Sequence, residues 1–180
     1  MNLSVVSDIN LPDILLISYN KYEDDRGFLY EVFNNESLSC LNIDFIQEKC
    51  AYSKYGVLRG LHFQKEPYAQ GKLVRCSVGS IFDIAVDIRR TSSTFGKSVG
   101  HILSEDNNLM MYIPPGFAHG VLSISNNGSL FHYFTTNHYS KEYETGLLWS
   151  DPSLDLKLPI PYSDIVLSDK DKELPKLENL

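Results

Sequence analysis

Short runs of β-branched and aromatic residues, broken by Gly, Pro, Asn and Asp, recur along this chain, and few windows carry a helical period. Residues 81–89 give the clearest signal. Phe82, Ile84, Val86 and Ile88 alternate with Asp83, Ala85, Asp87 and Arg89, so the two sets face opposite sides of one strand. Further strands are predicted over 14–18, 28–33, 44–52, 56–64, 72–78, 99–103, 109–113, 120–124 and 130–136, with a polar turn at 23–27 and a short helix within 35–41. Many short strands with no strand–helix–strand rhythm predict an all-β fold, a closed barrel or sandwich of jelly-roll type with a few short helices. The tail from Asp169 onward is polar, which predicts loosely held final residues.

A length of 180 residues suits one domain over 1–180 with a sizeable core, and a hydrophobic fraction of 43% excludes global disorder. The formal charge of -7 argues against broad binding to nucleic acid or anionic membranes, while leaving room for a local basic pocket. Cys40, Cys50 and Cys76 form no C-x-x-C pair, and reduced thiols are expected. Residues 1–12 lack a basic stretch followed by an apolar run, and no segment approaches membrane-spanning length. A cytoplasmic location is therefore expected.

Several residues could carry chemistry. In the run from Gly56 to Gln64, Arg59 and His62 are three apart, so strict alternation sends them to opposite faces. Gly60 between them permits a bulge that would re-aim one. On this segment alone, a surface Arg and a structural His are the simpler reading. The run from Ile113 to Gly120 contains the P-x-G-x-x-H element of cupin barrels, ending at His119, where that histidine is often a metal ligand. The companion H-x-H is absent, because His62 is followed by Phe63 and Gln64. Two imidazoles are too few for a mononuclear site, even though Glu66 or His101 could be brought near, and no metal is expected. Lys72, Tyr133 and the Ser168–Asp171 turn are each unremarkable by themselves.

Taken in order, these runs resemble the dTDP-4-dehydrorhamnose 3,5-epimerase family of cupin-type sugar-nucleotide enzymes. The matching words are Asp25–Phe28, Gly56–Gln64, Gln70–Arg75, Asp83–Arg89, Thr94–Gly96, Ile113–Gly120, Trp149–Pro152 and Leu167–Asp171. They cover the chain from about Ile14 to Pro175. The resemblance implies a jelly-roll cupin that works without metal or organic cofactor. It also implies a homodimer in which N-terminal strands are exchanged and each active site borrows residues from the partner. By motif position, His62 would be the general base, Asp171 its carboxylate partner, Lys72 the group beside the substrate ketone, and Tyr133 the general acid. Arg26, Glu31, Gln47, Lys49, Arg59, His119, Glu144 and Lys170 would hold the sugar and nucleotide, and Asp83 would line the site. Three positions depart from the family pattern: Lys49 where Asn is common, Phe134 where many members have Lys, and His138 where a second Tyr is frequent.

The implied chemistry is physically coherent. Protons on carbons 3 and 5 are acidic only because the anion delocalises onto the carbon-4 ketone oxygen. Even so, they are weaker acids than imidazolium by about 10 pKa units, roughly 14 kcal/mol. An ammonium such as Lys72 beside the developing oxyanion offsets that gap. Inversion then needs a proton from the other face, which one base cannot deliver. Three alternatives stay open: a mono-epimerase on another nucleotide sugar such as a CDP-sugar, a metal-dependent cupin enzyme, and a non-catalytic sugar-nucleotide binding barrel.

Overall fold

The computed structural model of the chain describes residues 3–180, the side chains of Asn35, Ser37 and Cys40 excepted; the expected Cys40 thiol thus lies outside the described residues. In chain order the strands are β1 (Ser4–Ser7), β2 (Leu15–Ser18), β3 (Tyr22–Asp24), β4 (Gly27–Leu29), β5 (Gln47–Ser53), β6 (Leu58–Gln64), β7 (Lys72–Val78) and β8 (Ser80–Asp87). They continue as β9 (Ser98–Ser104), β10 (Leu109–Ile113), β11 (Phe117–Ser123), β12 (Ser129–Thr135) and β13 (Glu144–Gly146). The α-helices are single turns, α1 (Asn35–Leu38) and α2 (Asp169–Lys172).

Two antiparallel sheets stack as a jelly-roll sandwich, one ordered β1-β2-β10-β7-β12-β5 and the other β13-β6-β11-β8-β9. Val74, Cys76, Met111, Ile113 and Phe131 from the first meet Ile81, Ala85, Val99, Phe117 and Val121 from the second in the central core. The alternation at 81–89 is present. Ile84 and Val86 face outward, yet they are buried, because a layer including Leu147, Leu154, Leu156 and Leu177 covers that side of the sheet. The outer face of the six-stranded sheet is likewise covered: Ile17, Leu73, Met110 and Phe134 pack against Leu38, Tyr30, Phe33 and Phe45.

Differences from the sequence-based expectations have local causes. The strand predicted at 28–33 stops at Leu29, since Tyr30, Val32 and Phe33 turn down onto the sheet as packing groups rather than pairing. Strands β1 and β13 are too short or too polar to show a periodicity. The tail is not loosely held. The Leu177 amide donates to Asp151 Oδ2 at 2.7 Å, and Leu177 is 7% exposed. Of the cysteines, Cys50 and Cys76 are free thiols, and burial pushes the Cys76 thiol up to about 12.

Candidate active site

A cavity of about 350 Å³ opens between the two sheets, lined by residues that include Arg59, His62, Lys72, His119, Tyr133, Lys170 and Asp171. The five-stranded sheet contributes Arg59 and His62 from β6 and His119 from β11, while the six-stranded sheet contributes Lys72 from β7 and Tyr133 from β12. His62 and Tyr133 therefore rise from opposite walls.

The β6 backbone explains how Arg59 and His62 share one cavity. His62 sits opposite His119 and Arg59 opposite Val121, so Gly60 and Leu61 together face Gly120 alone. That is a bulge, and it resets the alternation between the two side chains. Gly60 has φ +119°, and a Cβ there would stand 2.6 Å from the His119 carbonyl oxygen, so only glycine fits. Arg59 is steadied by Nε donating to Ser53 Oγ at 2.9 Å.

Asp171 arrives from the far end of the chain. Val166 bridges to Val57 in parallel, with the Leu58 amide donating to the Val166 carbonyl at 3.0 Å. Ser168 then caps α2 by accepting the Asp171 amide at 3.2 Å. The result is a buried carboxylate, 4% exposed, whose Oδ1 accepts from His62 Nε2 at 2.6 Å. With its Nε2 hydrogen engaged, His62 keeps its lone pair on Nδ1. Burial lowers the His62 pKa below the usual histidine value; Asp171 opposes this without reversing it, so the ring is a neutral base at pH 7.

A second histidine–carboxylate pair lies beside the first. His119 Nε2 donates to Asp83 Oδ1 at 2.8 Å, and Asp83 is fully buried. The other ring nitrogen, Nδ1, lies 3.4 Å from Lys72 Nζ, which also donates to the His62 carbonyl at 3.4 Å. Burial lowers the His119 pKa, which keeps it neutral and able to accept from Lys72. Burial also pulls the Lys72 ammonium down to about 8, with Asp83 opposing and Lys49 reinforcing the shift. Burial raises the Tyr133 pKa against the pull of Arg59, so the phenol holds its proton at neutral pH.

The rim is polar. Lys170 pairs with Glu144 Oε2, which also accepts from the Tyr139 hydroxyl at 3.1 Å. Lys49 is not among the lining residues, but its ammonium stands 4.6 Å from the Tyr139 ring and 5.9 Å from the Tyr133 ring. Gln47, on the same face of β5, carries a buried Oε1 with no hydrogen-bond partner. Among the described residues, no three His, Cys, Asp or Glu side chains gather as a metal site, and His101 is engaged elsewhere, with Asp8 at 2.7 Å.

The sequence model of dTDP-4-dehydrorhamnose 3,5-epimerase matches residues 8–179. A dTDP-4-dehydrorhamnose 3,5-epimerase of Shigella flexneri is 49% identical over 164 residues, 89% of each chain. This chain belongs to the dTDP-4-dehydrorhamnose 3,5-epimerase family. Among solved structures it is similar to dTDP-6-deoxy-D-glucose-3,5-epimerase RmlC of Legionella pneumophila in complex with dTDP-4-keto-L-rhamnose, with TM-score 0.92 and 37% identity over 98% of this chain and 94% of that one. It is also similar to ChmJ, a 3'-monoepimerase of Streptomyces bikiniensis in complex with dTDP-quinovose, with TM-score 0.87 and 27% identity over 96% and 88% of the two chains.

Two residues implied by the resemblance to the epimerase family stand apart from the cavity. Arg26 lies in the β3–β4 hairpin, largely exposed and paired with Asp24, and Glu31 is exposed and accepts from Asn34 Nδ2 at 2.8 Å. That hairpin also exposes Tyr22, Phe28 and Leu29, the last at 75%. Tyr139, which follows His138 in sequence and carries no motif signal of its own, supplies a ring at the rim.

Proposed function

We propose that this chain inverts carbons 3 and 5 of dTDP-4-dehydro-6-deoxy-D-glucose, giving dTDP-4-dehydro-L-rhamnose, by proton transfer through an enolate. The observation that carries this reading is an imidazole and a phenol on opposite walls of one cavity, with an ammonium that lines it from the phenol's own sheet. His62 Nδ1 takes the proton from the carbon beside the ketone. Asp171 holds the ring's tautomer and stabilises the imidazolium as it forms. Lys72, held by His119 and the His62 carbonyl, donates to the oxygen that becomes negative. Tyr133 returns a proton from the other face. Charge on the ammonium supplies the oxyanion stabilisation, so the reading needs no metal or organic cofactor.

Arg59, Gln47, Lys49, His119, Glu144 and Lys170 hold the substrate. Arg26 and Glu31 fit this scheme only as groups lent to the site of a second copy, which makes the working unit a homodimer. The exposed apolar side chains of the β3–β4 hairpin, Tyr22, Phe28 and Leu29, support that arrangement. Incubation with substrate in deuterated water tests the reaction. Label at both carbons is the expected result. Label at one carbon would make this a mono-epimerase, a reading that the likeness to ChmJ keeps in view. No label at either carbon would end both readings.

A further inference from the structure

We propose that Lys49 is a specificity-determining residue, its ammonium closing with Arg59 a two-cation clamp on the substrate's diphosphate. The proposal rests on the reading of the cavity as a nucleotide-sugar site and adds to it a selective contact particular to this chain.

Lys21, Arg26, Arg89, Lys170 and Lys172 each sit in an ion pair. None of the ion pairs among the described residues involves Lys49, Arg59 or Lys72. These three nevertheless gather around one cavity, and Lys49 is near enough to Lys72 to disfavour its charged form. Asp83 and Glu144 offset part of that repulsion on Lys72, and a bound anion would relieve more of it.

Lys49 faces Tyr133 across the β5–β12 ladder and projects on the same side of β5 as Gln47, Ala51 and Ser53, the side that meets the cavity. Its ammonium rests over the Tyr139 ring, whose hydroxyl is tied to Glu144, so the cation is aimed rather than free to wander. Tyr133 feels the Arg59 charge and has Lys49 5.9 Å from its ring, so both cations stand near one phenol. The orphaned Gln47 Oε1 next to Lys49 adds an acceptor that a ligand hydroxyl or amide would satisfy. A neutral amide at position 49 would offer hydrogen bonds without charge; a lysine there selects for the doubly negative linkage.

Calorimetric titration tests the clamp. The probes are dTDP-glucose, which has the diphosphate but no ketone to react, and thymidine 5'-monophosphate. They are titrated into the wild type, Lys49→Gln and Lys49→Arg at low and high salt. Lys49→Gln is expected to weaken dTDP-glucose by about tenfold and the monophosphate by less than about threefold, with a shallower salt dependence, while Lys49→Arg recovers most of the loss. Unchanged dTDP-glucose affinity in Lys49→Gln, or equal weakening of both probes, would overturn the clamp while leaving the nucleotide-sugar reading intact. Failure of the wild type to bind dTDP-glucose would overturn that reading and the clamp with it.

Discussion

His62 and Lys72 are ordinary residue types whose surroundings adjust them in complementary ways. Burial lowers both pKa values, which leaves His62 without its proton and Lys72 still holding one at neutral pH. The sign of the pH dependence follows. The base form of His62 exists above its folded pKa, so kcat/KM rises through a limb that lies below the usual histidine value. The Lys72 ammonium exists below its folded pKa, so activity falls through a limb near 8. A pH–rate profile checks both limbs, and Lys72→Met should remove the alkaline one while costing roughly 10²–10³ in kcat. At this scale the sequence was informative about identities and poor on partners. His62, Lys72, Tyr133 and Asp171 were recognisable as motif positions. The Asp83–His119–Lys72 chain was not, because three residues from three strands become neighbours only when both sheets are in place.

Two backbone features carry most of the site's construction. The β6 bulge at Gly60 turns Arg59 and His62 toward one cavity, and the sequence offered only a glycine between two polar residues as the hint. The other feature is the docking of the C-terminal segment against β6. Gly56, at φ +78°, lets the Asp164 carbonyl approach so closely that a Cβ would stand 2.1 Å from it. Gly56→Ala is expected to push that segment away and to loosen the Asp171 contact with His62. A loss of about 2–4 kcal/mol in stability should accompany a larger loss of activity, measurable by denaturant titration and turnover on the same preparation. Wild-type stability in Gly56→Ala would mean the segment is not held at this point. The strands over 72–78 and 109–113 were legible as short apolar runs between turn residues, because nearly every position in them is buried on one face or the other. Residues 30–33 misled because an aromatic-rich stretch can pack on a sheet without joining it.

At the scale of the whole molecule, one chain brings His62 and Tyr133 to opposite walls of the cavity but does not bring every expected binding residue to it. Arg26 and Glu31 stay outside it. If they serve a second copy, mixing Arg26→Ala with His62→Ala protein should restore about a quarter of the wild-type activity, because half the dimers are mixed and each holds one intact site. No recovery on mixing would assign Arg26 to its own chain's site or to none. Sequence conveyed the sandwich and the family, while a sharing of residues between copies came only as what the family resemblance implies, since spacing along a chain says nothing of which copy a side chain serves. The central claim is that His62 and Tyr133 act on opposite faces of the sugar, and the most direct measurement compares deuterium entry with net inversion in two variants. Tyr133→Phe should still admit solvent deuterium at carbons 3 and 5 with configuration retained, while inversion falls by at least about 10²-fold; His62→Asn should admit none. Deuterium entry in His62→Asn, or undiminished inversion in Tyr133→Phe, would contradict the account.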